Sequence, residues 1–311
     1  MARSGLGLPW DGQAVTAPRV SIVVRTKDRP DFLSRALLSV TAQAYESWEA
    51  IVVNDGGDRA AVAAVIDAVG QPDHRERIRV IDHAESRGRW VSANAGVLAS
   101  TGEFLVLHDD DDSWHPQFLA RATEYLDHHP ERQGVVSRIE IIWERAEHGR
   151  FVEESREEFQ AQLSAPLLSD TLLFNRFVPI GFLYRRSLHA ELGLYDDTLP
   201  VVGDWDFNLK VLARGPLEYL ADEPLAYWHQ RRGATGNAAN SVAGARSDHS
   251  AYDARIREEA LRRWVAQNGA GLVLYLTKFI DQRFVDVENG IRAEVAASSL
   301  WRRISRRIRR R

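Results

Sequence analysis

Short β-branched runs alternate with amphipathic stretches through the first 115 or so residues, and that order leaves few folds open. Residues 19–25 (R-V-S-I-V-V-R) predict a buried strand. Residues 31–44 then place Phe32, Leu33, Ala36, Leu37 and Val40 on one helical face. A second strand is expected at 49–53, closed by the turn Asn54-Asp55-Gly56-Gly57, with a helix over 60–69 behind it. A strand at 77–82, a helix over 90–100 stopped by Thr101-Gly102, and a strand at 103–107 complete the run. The alternation predicts an α/β domain built on a parallel, doubly wound sheet.

Beyond it the pattern loosens. Residues 135–142 (V-V-S-R-I-E-I-I) alternate like one strand, and the charged stretch 153–163 reads as a mobile loop or short helix. A strand is expected at 182–184, a helix at 187–192, a helix over 205–213 behind Asp204, and a strand over 219–228 broken at Pro224. Residues 231–244, rich in Gly, Ala and Asn, read as a flexible loop. From residue 246 the pattern is helical: Tyr252, Ile256, Ala260 and Trp264 recur every four residues until Asn268-Gly269. The expected organisation is a flexible segment 1–18, a domain over 19–240, and a C-terminal helical region 241–311 ending in a basic amphipathic tail.

The expected strand 103–107 runs into Asp109, Asp110, Asp111 and Asp112, then Ser113-Trp114-His115-Pro116. Carboxylates this close repel one another unless a cation neutralises them. Pro116 suits a first helical turn, which puts the acids on a strand-to-helix loop at the carboxyl end of a sheet. Open α/β folds bind ligands there, and a hard divalent metal shared with substrate phosphates fits the donors. A solvated acidic turn that caps a helix fits the residues equally well.

Composition narrows the class. No cysteine is present, which excludes disulfides, thiolate zinc sites and cysteine nucleophiles and suits a reducing compartment. The N-terminus has no apolar core of signal-peptide length, and no segment approaches the roughly 18 apolar residues of a membrane span. A soluble cytoplasmic protein is expected. The net charge of −4 hides an asymmetry: residues 302–311 hold seven arginines and no acid, so the other 301 residues carry −11.

Four stretches resemble the nucleotide-sugar-binding half of family 2 inverting glycosyltransferases with the GT-A fold. They are V-S-I-V-V-R-T-K-D-R-P (residues 20–30), V-V-N-D-G-G (52–57), R-G-R-W-V-S-A-N-A-G (87–96) and the aspartate-bearing stretch 104–116. The resemblance covers roughly residues 19–232. It implies a GT-A, Rossmann-like, mixed but mostly parallel sheet flanked by helices, with a C-terminal helical extension. It also implies a UDP- or dTDP-linked sugar donor, a Mn²⁺ or Mg²⁺ cofactor, and a glycan or lipid-linked acceptor in cell-surface glycan synthesis.

Carried onto this chain, the resemblance makes Asp109 and Asp111 the DxD pair, with Asp111 on the metal and Asp109 on ribose or a metal-bound water. Thr26, Arg29, Asp55, Asn94 and Asp110 join Asp109 in binding the nucleotide-sugar, and Asp112 stands behind them. Gly203-Asp204-Trp205-Asp206 resembles the family's Glu-Asp-x-Asp motif, which makes Asp204 the base that deprotonates the acceptor hydroxyl. A helix cap is the plainer role for Asp204. Glycine at 203 departs from the family's glutamate, and Ala93 stands where many relatives have arginine. Arg87 or Arg89 then faces the pyrophosphate, or is a surface arginine. His229 completes the metal site or simply ends a strand, and Arg231 and Arg232 clamp phosphates or are surface charges. The loop that follows suits a lid over the donor.

The tail spaces Ile291, Val295, Leu300, Ile304 and Ile308 among arginines beside Trp301, which suits an anionic membrane at the inner face of the plasma membrane. A solvated tail, an acidic protein partner or a homodimer contact stays open, while the acidic body argues against nucleic acid. Two rival functions remain. A sugar-phosphate nucleotidyltransferase also uses acids and a metal, but residues 25–29 lack its glycine-rich loop. A non-catalytic carbohydrate- or membrane-binding protein on a transferase scaffold would explain Gly203 and Ala93, yet Asp55, Asp109, Asp111 and Asp204 are all kept.

Overall fold

A computed structural model describes residues 17–69, 71–147, 150–234, 236 and 246–308; side chains are described through residue 296, those of 246 and 247 excepted. Residues 1–16 of the expected segment 1–18 and most of the expected loop 231–244 lie outside the described residues. The chain divides into two compact units between Tyr252 and Asp253.

In the first unit the alternation read from sequence is realised. Strands β1 (Val20–Thr26), β2 (Trp48–Asp55), β3 (Ile78–His83) and β4 (Phe104–Asp109) form a parallel sheet in the order β3-β2-β1-β4. Every residue of β1 and β2 is buried, as expected for central strands covered on both faces. Helices α1 (Pro30–Thr41), α2 (Arg59–Ala68), α3 (Pro72–Glu76) and α4 (Arg89–Ala99) supply the crossovers. Gly96 lets α4 sit against β1, since a Cβ there would lie 2.2 Å from a Val23 methyl. Gly56 turns at φ +77° where a Cβ would meet the Ser86 nitrogen at 2.4 Å.

The second half of this unit departs from expectation. Ser113–Trp114 form a short strand β5 paired with Ala226 and Tyr227, so α5 (Phe118–His128) starts two residues after Pro116. Trp114 drives this by burying between His108 and Phe118 and donating to the Ile180 carbonyl at 2.7 Å. Residues 135–142 are two strands in two sheets, β6 (Gly134–Val136) and β7 (Ile139–Glu147). The apolar alternation survives the switch because both strands face the same core.

The charged stretch 153–163 is mostly strand, not helix or loop. It belongs to β8 (Arg150–Phe159), an antiparallel edge partner of β7. Its charges are partnered: Arg156 pairs with Glu140 across the ladder and with Glu153 on its own strand, and Glu158 pairs with Arg138 just before β7. After α6 (Leu168–Thr171) and a 3₁₀ turn at Pro179–Gly181, β9 (Phe182–Arg185) pairs antiparallel with β4 and β6 and completes the six-stranded sheet. Next come α7 (Leu188–Leu192), α8 (Gly203–Leu212) and β10 (Ala226–Arg231). The expected strand 219–228 is thus confined to its end; Tyr219 makes only an isolated bridge with Val136. The second sheet runs β5-β10-β7-β8.

The second unit is helical. α9 (Arg246–Asn268) leads into it and α10 (Gly271–Ile308) makes most of it, with Gly269 at φ +76° between them. Among the described residues, no helix is long and apolar enough to cross a membrane.

Candidate functional site

The four aspartates emerge at the carboxyl end of β4, and three arginines meet them there. Register places Arg25, near the end of β1, beside Asp109, the last residue of β4, and the two form an ion pair. The Thr26 hydroxyl donates to Asp110 at 2.8 Å, and Arg29 donates to Asp110 at 2.7 Å and to Asp111 at 2.8 Å. Arg231, buried at the end of β10, reaches Asp111 from the other side and also Glu144 on β7, 3.4 Å away. Arg35 of α1 donates to the Asp111 carbonyl at 2.6 Å and pairs with the same Glu144.

The electrostatics sort the four acids. Burial raises every one that shifts, and the arginines decide which stay ionised. Burial would lift Asp111, but Arg29 and Arg231 outweigh it and hold the carboxyl below its ordinary value. Asp110 is pushed up to about 7, because burial and the neighbouring Asp111 exceed the pull of Arg29. Asp112 is pushed well above the usual range by burial and by the Asp111 and Asp109 charges, against a 3.0 Å bond from the His229 amide.

Across the same cleft stands Asp204. It lies inside α8, one residue after Gly203, so it is not the helix cap; the residue before the helix is Val202 at φ +57°. Its carboxylate accepts from the Asn175 amide at 2.8 Å, and Asn175 is held by Asn208 at 3.0 Å. Burial raises its proton affinity, against the Trp205 amide, Arg25 and Arg89, and nearby Asp109 raises it further. Gly203 has a local cause: a Cβ there would stand 2.7 Å from the Trp90 indole, which occupies that space and stacks on Tyr195.

A cleft of about 510 Å³ gathers Thr26, Arg29, Asp55, Arg89, Asp109, Asp110, Asp111 and Asp204. A larger cleft, about 650 Å³, opens between α4 and α7 and holds none of them, so the chemistry belongs to the smaller one. Arg89 opens α4 behind Gly88; the enclosure and the adjacent Arg25 hold its guanidinium below the usual arginine range, which favours an anion there.

Three expected ligands have partners within the chain itself. Asn94 is spent on the chain itself: its amide donates to the Tyr195 carbonyl at 2.9 Å and accepts from the Tyr195 nitrogen at 3.0 Å. Asp55 borders the cleft, but its carboxylate already takes the Arg87 and Gly88 amides and the Ser86 hydroxyl and lies 3.1 Å from His83 Nδ1. Burial would raise Asp55, yet these donors hold it well below the carboxylate range, so it fixes the 86–88 loop and has no acceptor direction left. His229 has Nε2 2.8 Å from the Ser113 hydroxyl and Nδ1 3.0 Å from Glu144, so it reaches a metal only by giving one up.

The donor set fits a shared metal, not a caged one. Among the described residues, no three His, Asp or Glu side chains are arranged to hold an ion. Mg²⁺ and Mn²⁺ in phosphate sites need one or two carboxylates, the remainder coming from phosphate and water, and Asp111 meets that need. Sequence reasoning missed Arg25, Asn175 and the Glu144 hub. Arg25 carried a signal, a cation ending a run of buried β-branched residues; the others carried none.

The Glycosyl transferase family 2 model matches residues 21–193. The uncharacterized glycosyltransferase YwdF of Bacillus subtilis is 30% identical over 192 residues, 62% of this chain and 67% of that protein. The succinoglycan biosynthesis protein ExoO of Rhizobium meliloti is 28% identical over 260 residues, 81% of this chain and 70% of ExoO. Two other curated relatives are longer, and the match spans 33% and 30% of them. S. aureus TarS 1-349, solved in complex with UDP-GlcNAc, superposes with a TM-score of 0.54 at 20% identity, over 82% of this chain and 75% of TarS. That likeness carries the fold, which is the GT-A arrangement expected from the sequence.

Proposed function

The chain belongs to glycosyl transferase family 2, and from that premise we propose that it moves a sugar from a nucleoside-diphosphate donor to an acceptor hydroxyl with inversion. One observation carries the reading. Asp204 shares a cleft with Asp109, Asp110 and Asp111, close enough for Asp109 to raise its proton affinity. An acceptor entering beside Asp204 therefore faces a donor held at the aspartates.

Asp204 takes the proton from the acceptor hydroxyl as that oxygen attacks the anomeric carbon. The bond to the diphosphate breaks on the opposite face, and the nucleoside diphosphate leaves with the electron pair. A carboxylate whose proton affinity is raised is the stronger base, and Asn175 fixes its orientation. Arg89, at the start of α4, faces the diphosphate. Mn²⁺ or Mg²⁺, held by Asp111 and the donor phosphates, would neutralise charge on the leaving group. Arg29 and Arg231 then exchange Asp111 for phosphate oxygens, which suit a guanidinium fork.

The TarS complex supports a UDP-linked donor, and ExoO's name supports an acceptor in glycan synthesis. Calorimetric titration of UDP, dTDP and GDP, with and without Mn²⁺, tests the donor side. One nucleotide should bind in a metal-dependent way, and Asp111→Ala should weaken it at least tenfold. Asp204→Asn should bind that nucleotide normally while transfer falls by roughly 10²–10⁴. Failure of all three nucleotides to bind under any metal condition refutes the reading.

A further inference from the structure

The second unit carries an apolar face that the transferase chemistry leaves unused. Each helical residue turns by about 100°, so Leu276, Ile280, Phe284, Val287, Ile291 and Val295 fall in one stripe about 100° wide and roughly 28 Å long on α10. These side chains are between 43% and 72% exposed. The opposite face carries Lys278, Gln282, Asp286 and Asn289, interrupted by Tyr275 and Val285.

We propose that this stripe docks a second copy of the chain, α10 against α10. The steps run 4-4-3-4-4, an 11-residue repeat, which is the spacing of a right-handed helix–helix seam. Its edges carry both signs, Arg283 and Glu294 on one and Glu288 and Arg292 on the other, so two copies meet without accumulating like charge. Covering more than half of six side chains of about 150 Å² on each copy removes roughly 1,000 Å², the lower bound of a specific interface.

An anionic membrane fits this segment less well. Residues 276–296 hold three basic and four acidic side chains, so nothing in the segment draws it to negative headgroups. The inference stands independently of the transferase reading.

Analytical ultracentrifugation of the full chain at 1–50 µM tests it. Wild type should sediment as a dimer, Phe284→Glu/Ile291→Glu as a monomer, and Gln282→Glu/Asn289→Glu, on the opposite face, as a dimer. The chain has no cysteine, so single replacements give a second readout. Val287→Cys, near the middle of the stripe, should form an intermolecular disulfide on mild oxidation, and Asn289→Cys should not. A monomeric wild type, a dimeric stripe variant, or a monomer that floats with lipid vesicles through the stripe would each overturn the proposal.

Discussion

At the end of β4, three guanidiniums answer a repulsion that the sequence alone leaves to a metal or to solvent. Arg25, Arg29 and Arg231 come from positions 84, 82 and 120 residues away from their carboxylate partners, which is why composition and spacing reveal the acids and not their neutralisation. The arginines offset the charge of the cluster, and a metal arriving with the donor would compete with them for Asp111. Beside the cluster, His108 is fully buried, with Nδ1 2.7 Å from the Asp109 carbonyl and its ring edge against Trp114. Burial pushes its pKa down to about 4. The unfolded chain titrates near 6.5, so His108 contributes stability above that value and the contribution is lost as pH falls from 6.5 through 4. Between pH 7 and pH 4, wild type should lose on the order of 3 kcal/mol more unfolding free energy than His108→Gln, which cannot take up the proton. Urea melts at the two pH values measure this, and parallel profiles would refute it.

Among the elements, Glu144 ties the second sheet to α1 and β7 to β10. This buried carboxylate on β7 faces Arg35 of α1 and His229 and Arg231 of β10. Burial would raise it, but His229 and Arg35 outweigh that and keep it below its ordinary value. Glu144→Gln removes the buried carboxylate that Arg35, His229 and Arg231 share and should destabilise by about 3 kcal/mol. Glu157→Gln, on exposed β8, should stay within about 0.5 kcal/mol. Equal costs in chemical denaturation would mean that the hub is no more than surface charge. The contrast also explains what the sequence made readable. Strands β1, β2 and β4 declare themselves because central parallel strands bury both faces and so read as unbroken β-branched runs. β8 hides because an edge strand satisfies its charges across the ladder, and charge without alternation looks like a loop. The split at Ser137-Arg138 hides because alternation reports which face is buried, not which sheet owns the strand. Asp204 was legible as a residue and not as a position: it lies within α8, and only its packing with Trp90 shows why glycine precedes it.

For the whole molecule, charge and apolar surface assign different tasks to the two units. Every side chain that lines the donor cleft lies at or before His249, within the first unit. The exposed stripe lies on α10, wholly within the second. The arginines that offset the acidic body also lie at that end, from residue 302 onward. A chain ending at Asn268 removes α10 and leaves the cleft untouched. It should bind the preferred nucleotide within twofold of the full chain's affinity and sediment as a monomer where the full chain is a dimer. Because no cleft residue is supplied by α10, weakened nucleotide binding in the shortened chain would contradict the division and require the helix to support the site. Binding retained together with an unchanged dimer would instead place self-association on the first unit, and only the combination of intact binding and lost association keeps both assignments.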